Sequence, residues 1–306
     1  MTDAEAGTPA DRRARDMETL RTYFRLLARR DIDRWITLWS AACTQHMPYA
    51  AGGLPDRVEG RDEVHTLYKR LAAGYRSLAY PDTELYPLRE PGRILARWFP
   101  HGETTDGRTY VNENLGIFAF DPDGRIRHFT EYYNPVGLTG TADHTPPVPA
   151  GRPLLAGVGA VGEGSRARAD ERRAADERTL WDYFRLLRDK DLDSWKELLA
   201  PDCSLAVPYA SGAVPSALHG RDEIHRLWRA IANGYRRMRY ERLEILPLSD
   251  PAGFLARWSP VGELVGGGHY RNESVGVFEF GRDGRIQHFT EYFNPAGLAE
   301  SFALHG

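Results

Sequence analysis

Cysteine, long apolar runs and an excess of either charge are what this sequence lacks. Its 306 residues hold two cysteines, Cys43 and Cys203. That excludes a disulfide-stapled scaffold, and the absence of Cys-x-x-Cys and His-x-x-x-His spacings leaves no metal-ligand pattern. No run of roughly 18 apolar residues occurs, so no membrane-spanning helix is expected. Lys and Arg number 40 against 43 Asp and Glu, a net charge of −3; no basic surplus exists to hold nucleic acid or an anionic membrane. The opening MTDAEAGTPADRRARD is polar and has no apolar signal-peptide stretch. A soluble cytoplasmic protein is expected. With 42% hydrophobic and 27% charged residues, the composition is that of a globular protein rather than a disordered or fibrous one.

What is present is a repeat. Tyr23-Phe24-Arg25-Leu26-Leu27 returns as Tyr183-Phe184-Arg185-Leu186-Leu187, an offset of 183 − 23 = 160. The same offset carries Gly60-Arg61-Asp62-Glu63 to Gly220-Arg221-Asp222-Glu223, and His128-Phe129-Thr130-Glu131-Tyr132 to His288-Phe289-Thr290-Glu291-Tyr292. From Leu20 to Leu138 the copies align without a gap, with about half the positions identical. The period is far longer than that of a solenoid. It defines domains at 14–138 and 171–300, joined by a Gly-, Pro- and Ala-rich linker at 139–170. As a flexible coil that linker spans on the order of 30 Å, against a radius of gyration of roughly 14 Å per domain. The two repeats are therefore expected to pair within the chain as a pseudo-dimer, with further oligomerisation left open.

Each copy reads as helices followed by strands. Leu20, Tyr23, Phe24 and Leu27 give helical spacing over Asp16 to Arg30. Asp31 caps a second helix running through Trp35 to Trp39, and Arg61 opens a third reaching about Leu78. A loop-rich stretch with Pro48, Gly52, Gly53 and Pro55 separates the last two. Strands are expected at Tyr80–Leu88, Ile94–Phe99, Tyr110–Phe120 and Ile126–Asn134, the last two joined by the turn Asp121-Pro122-Asp123-Gly124. This order means an α+β fold, with helices on one face of an antiparallel sheet.

Asp31-x-Asp33-x-Trp35 and Gly60-Arg61-Asp62-Glu63, in this layout, resemble the nuclear transport factor 2-like superfamily, which includes the SnoaL-like polyketide cyclases. Tyr110-x-Asn112, Phe118-x-Phe120, Asp123-Gly124-Arg125-Ile126 and Glu131-Tyr132-Tyr133-Asn134 are similar to the C-terminal half of the phenazine-biosynthesis A/B proteins. Their counterparts are Tyr270-x-Asn272, Phe278-x-Phe280, Asp283-Gly284-Arg285-Ile286 and Glu291-Tyr292-Phe293-Asn294. The resemblance implies two cone-shaped domains, each a curved sheet wrapped on about three helices around a pocket. It implies an active-site acid at Glu131 and Glu291, with Tyr110 and Tyr270 lining the same pocket. Two departures stand out. Leu67 and Leu227 stand where the phenazine proteins use a His, and Trp35 and Trp195 where they use an Arg.

On a strand, Arg127, Phe129, Glu131 and Tyr133 share one face and His128, Thr130 and Tyr132 the other. A carboxylate between aromatic neighbours inside a cone is poorly solvated, which raises its pKa and suits general acid or base work. The opposing reading is a Glu paired to an Arg. Tyr49 and Tyr209 are expected at the pocket mouth, with core packing as the alternative; Trp35 and Trp195 are core or stack on a ligand; Asn112 and Asn272 join the substrate-binding set. His128 and His288, and His65 and His225, are secondary candidates, the latter two better explained by helix capping and solvation. Arg97 and Arg257 are expected to pair with Glu113 and Glu273. No metal and no cofactor is expected.

The function expected is cofactor-independent acid–base catalysis on a small carbonyl-bearing metabolite of specialised metabolism: cyclisation, condensation, isomerisation or dehydration. The alternatives are an epoxide hydrolase or epoxide-opening cyclase, which would want a second acid that Met47-Pro48-Tyr49-Ala50 does not supply, and a non-catalytic small-molecule binder or scaffold.

Overall fold

The computed structural model describes residues 8–136, 153–155, 166–210, 214–250 and 252–296. The chain divides into two units, Met1–Ala150 and Gly151–Gly306. Most of the expected linker, 139–170, lies outside the described residues.

In the first unit α1 (Pro9–Ala28) buries Leu20, Tyr23, Phe24 and Leu27, the stripe its spacing predicts. The Asp31 side chain accepts the Arg34 N–H at 3.3 Å and starts α2 (Ile32–Trp35). The chain does not stay helical to Trp39. After a 3-10 turn at Ile36–Leu38 it becomes β1 (Trp39–His46). A short β2 (Arg57–Glu59) and α3 (Arg61–Ala73) follow. Gly74 caps α3, so the segment expected to be its last turn is instead β3 (Tyr75–Ala79). The remaining strands are β4 (Thr83–Pro87), β5 (Arg93–Trp98), β6 (His101–Thr104), β7 (Thr109–Val111), β8 (Asn114–Phe120) and β9 (Ile126–Tyr133). The single strand expected over Tyr110–Phe120 is thus broken at Asn112 and Glu113, where the Asn112 side chain bonds backbone N–H groups.

The main sheet runs β2-β1-β9-β8-β5-β4, and β3-β6-β7 form a smaller one. The main sheet is mixed rather than antiparallel, because β1 lies parallel to β9. That contact joins residues some 84 positions apart, such as Thr44 and His128, and no local pattern announces it.

The second unit repeats the plan: α4 (Arg166–Asp189), α5 (Leu192–Lys196), β10 (Leu199–Ala206), β11 (Ala217–His219), α6 (Arg221–Asn233), β12 (Tyr235–Pro247), β13 (Gly253–Leu264), β14 (His269–Arg271), β15 (Ser274–Phe280) and β16 (Ile286–Phe293). Its sheet runs β11-β10-β16-β15-β13-β12. Here β12 is continuous where the first unit has β3 and β4. Pro81, which cannot donate to a ladder, stands in that gap, and Glu241 replaces it in the second copy.

One face of each main sheet packs on the helices. Phe118 and Phe129 stack at 4.1 Å, with Tyr23 edge-on to both; Phe278, Phe289 and Tyr183 repeat the group. Gly116 stands opposite Glu131 on this face. A Cβ there would come within 2.8 Å of Phe129 and Trp98, so only glycine leaves room for those rings beside the carboxylate.

Candidate active site

Glu131 points from β9 to the helix-covered face, as the strand alternation predicts. Gln45, on β1, donates from Nε2 to Glu131 Oε2 at 3.1 Å. Asn114, at the start of β8, donates from Nδ2 to Oε1 at 3.0 Å. The Tyr68 hydroxyl, from α3, bonds the same carboxylate and also accepts from Gln45 Nε2 at 2.9 Å. Gln45, Tyr68 and Asn114 are buried, and Glu131 as a residue keeps partial exposure. Burial pushes its pKa up to about 7, against the lowering effect of the three hydrogen bonds. Burial, with the Glu131 charge added, also raises the hydroxyls of Tyr23, Tyr68, Tyr75, Tyr80, Tyr110 and Tyr133. These phenols stay protonated and can donate.

Glu291 occupies the same place on β16 and is also partly exposed. Its carboxyl has no hydrogen-bond partner among the described residues, and burial alone drives its pKa up to about 8. Tyr183, Tyr235, Tyr240 and Tyr270 lie close enough for its charge to raise their hydroxyls further, burial again being the main cause.

Tyr110 and Tyr270 therefore sit in the electrostatic reach of their glutamates, and Tyr110 packs on Tyr75 at 5.5 Å. Of the other expected site residues, Asn112 touches Tyr110; most of the rest lie elsewhere. Tyr49 is buried edge-on to Tyr132 at 5.3 Å, and Tyr209 to Tyr292 at 5.1 Å. Tyr132 and Tyr292 occupy the opposite sheet face, so neither Tyr49 nor Tyr209 rims the pocket. Asn112 gives Nδ2 to the Asn134 carbonyl at 3.0 Å and to the Tyr110 hydroxyl at 3.5 Å, and takes two N–H groups on Oδ1. Asn272 does the same with Asn294 and Glu273. Both hold the strand break, and Asn112 also braces the Tyr110 hydroxyl.

Trp35 and Trp195 are fully buried core. Trp35 packs on Tyr68 at 4.3 Å and so backs the site without lining it. His128 lies between Thr44 Oγ1 at 2.6 Å and Thr130 Oγ1 at 3.1 Å, and His288 between Ser204 at 2.8 Å and Thr290 at 3.2 Å. Both are on the face away from the glutamates. His65 does not cap its helix; it reaches across to Asp33 of α2 at 2.8 Å, as His225 reaches Asp193 at 3.5 Å. The Arg97–Glu113 and Arg257–Glu273 pairs form, at 2.9 and 3.2 Å. Among the described residues no group of three His, Cys, Asp or Glu is placed to hold a metal, and no helix is long and apolar enough to cross a membrane.

A SnoaL-like domain model matches the chain twice, over residues 20–129 and 181–289. The chain belongs to the SnoaL-like family. YesE of Bacillus subtilis (strain 168), itself uncharacterized, is 24% identical to this SnoaL-like chain over 120 residues, 39% of the chain and 81% of YesE. A phenazine biosynthesis-related protein from Pseudomonas aeruginosa is similar at 18% identity and a TM-score of 0.40, over 45% of this chain and 90% of its own. A Mycobacterium tuberculosis protein solved with estradiol-17β-hemisuccinate is similar at 19% identity and a TM-score of 0.36, over 39% of this chain and 94% of its own.

Three residues of this SnoaL-like site escape sequence reasoning: Gln45, Tyr68 and Asn114. They come from β1, α3 and β8 and share no spacing. Their one signal is negative, since the second copy replaces them by Leu205, Trp228 and Ser274 while keeping the glutamate.

Proposed function

We propose that this SnoaL-like chain is a cofactor-independent acid–base enzyme that moves a proton on a small carbonyl-bearing metabolite, with Glu131 as the proton carrier. The observation that carries this reading is a carboxylate held by two amides, one on each oxygen, on the helix-covered face of the sheet. As the anion, Glu131 receives a donor on each oxygen. It takes a proton from the carbon beside a carbonyl; the electron pair moves to the carbonyl oxygen as an enolate. We assign Tyr110, kept protonated by burial, as the donor that stabilises that oxygen. With the proton on Glu131, a half-turn of the Gln45 or Asn114 amide presents an oxygen to the new O–H. Those oxygens, Gln45 Oε1 and Asn114 Oδ1, are buried without a partner in the orientation described. Returning the proton to a second carbon is isomerisation; giving it to a departing hydroxyl is dehydration; capture of the enolate by a second carbonyl is cyclisation or condensation.

The bonds to Glu131 come from amides and a phenol. That favours proton transfer over epoxide opening, which would use a second acid. The test is deuterium incorporation from D2O at the α-carbon of a panel of cyclic and aryl ketones, followed by NMR. Glu131→Gln is expected to slow exchange by about 10²–10⁴-fold. Equal rates for wild type and variant, or binding without exchange on every ketone, overturn the reading in favour of a binder.

A further inference from the structure

The first unit carries a groove that Glu131 does not line. It lies between α1 and β4, holds about 380 Å³, and is lined by Met17, Arg21, Phe24, Thr83 and Leu85. That volume is at the small end for a ligand pocket. β4 ends its sheet, so one of its edges meets no other strand among the described residues. The Phe99 N–H bonds the Asp82 carbonyl at 3.3 Å, and the Leu88 N–H the Arg93 carbonyl at 3.0 Å. Even-numbered residues of β4 therefore spend their main-chain groups on β5, and Thr83 and Leu85 turn theirs to the open edge. Their side chains share the helix-covered face with Trp98 and Ala96, their register partners. Phe24, packed on Trp98 at 5.3 Å, is the apolar floor.

Arg21 is the one charged side chain of the lining. Its guanidinium is 3.4 Å from Glu18, and Arg25 is 4.0 Å from the same carboxylate. Two cations share one anion, which leaves a net positive charge on that face of α1. The second copy is different. Glu177, Trp181 and Leu243 stand at the places of Met17, Arg21 and Thr83, while Phe184 and Ile245 keep the floor apolar. The cation and the hydroxyl are gone, a carboxylate has arrived, and Trp181 is 45% exposed.

We propose that the α1–β4 groove of the first unit is a second ligand site, which takes an aliphatic monocarboxylate. The chain of the ligand lies on Met17, Phe24 and Leu85. Its carboxylate meets Arg21, with the Thr83 hydroxyl and the outward N–H groups of β4 as neutral donors at the rim. A guanidinium has five N–H donors, so Arg21 keeps some for a ligand beside its bond to Glu18. A monoanion matches the net charge of the Arg21–Glu18–Arg25 group. A dianion would exceed it and face Glu18, and an ammonium would meet a cation. A neutral chain would gain the floor alone. The second unit is excluded, because Glu177 would face the ligand carboxylate and no cation replaces Arg21. The site is independent of the proton-transfer reading.

The test is calorimetric titration of the full chain with sodium octanoate at neutral pH and low salt, with octan-1-ol and octylammonium chloride as comparison probes. One octanoate is expected per chain, bound about tenfold more tightly than octanol. Added salt is expected to narrow that difference, because Arg21 is half-exposed. Arg21→Met, and Arg21→Trp, which copies the second unit, bring octanoate down to the affinity of octanol. Met17→Glu weakens octanoate and leaves octanol unchanged. Glu131→Gln alters neither. Four results overturn the proposal: no binding of octanoate, equal binding of octanoate and octanol, unchanged affinity in Arg21→Met, or loss of octanoate binding in Glu131→Gln, which would put the ligand beside that glutamate instead. Deuterium exchange is read separately, so failure of either reading leaves the other standing.

Discussion

Glu131 and Glu291 sit at equivalent places on equivalent strands, yet one is held by three hydrogen bonds and the other by none described. Both are pushed up by burial. Only the first is drawn part of the way back, to about 7 against about 8. Burial thus makes a carboxyl neutral, and donors decide how readily it ionises again. A site that must cycle between both forms needs the donors.

The sharpest test of that contrast is the paired replacement of the two glutamates. Glu131→Gln is expected to lower proton exchange by about 10²–10⁴-fold, whereas Glu291→Gln is expected to lower it less. If the two variants lose exchange equally, the pockets are chemically one.

A second comparison concerns the ion pairs on the outer sheet faces. In Arg97–Glu113 the side chains are 6% and 4% exposed, in Arg257–Glu273 10% and 22%. Arg97→Met leaves Glu113 buried without that guanidinium and is expected to destabilise by about 3–5 kcal/mol. Arg257→Met should cost less, because Glu273 keeps contact with water. Chemical denaturation at pH 7 measures both, and equal losses would break the comparison.

Stability against pH separates the glutamates next. Each binds its proton more tightly folded than unfolded, so the native state holds more protons than the unfolded chain. Stability therefore falls as pH rises from about 4.5 through about 7 for Glu131, and through about 8 for Glu291, and then levels. Glu291→Gln removes its share of that loss: near-equal stability to wild type at pH 4, and a gain of about 2–4 kcal/mol at pH 9. Glu131→Gln gains less, since its new amide meets the amide donors of Gln45 and Asn114. Denaturant midpoints at the two pH values read the difference.

A smaller effect follows from Gln45→Leu with Asn114→Ser, which gives the first pocket the second's lining. The midpoint of the exchange profile is expected to rise from about pH 7 toward pH 8; an unmoved midpoint would show that the amides do not tune Glu131. Smallest is Tyr68→Phe, which removes one hydroxyl and should cost about 0.5–1.5 kcal/mol by denaturation.

Much of the fold is legible along the chain because it is locally written. The stripe of Leu20, Tyr23, Phe24 and Leu27 marks α1, the Asp121–Gly124 turn marks the β8–β9 hairpin, and alternation on β9 aims Glu131 correctly. β1 is not legible, because its parallel partner β9 lies far along the chain. The early end of α3 was written in Gly74, beneath a helical pattern that ran past it. Tyr49 shows the other limit. An aromatic residue near a site in sequence is drawn elsewhere when a second sheet face claims it first.

The sequence by itself determined that one domain is present twice, that each copy is α+β, and that each carries one inward glutamate on its final strand. Periodicity and repetition are properties of the chain, and they need no third dimension. What each glutamate can do was decided only in the tertiary structure. The donors that set its charge come from β1, α3 and β8, segments that meet at one carboxylate because the sheet and helices bring them there.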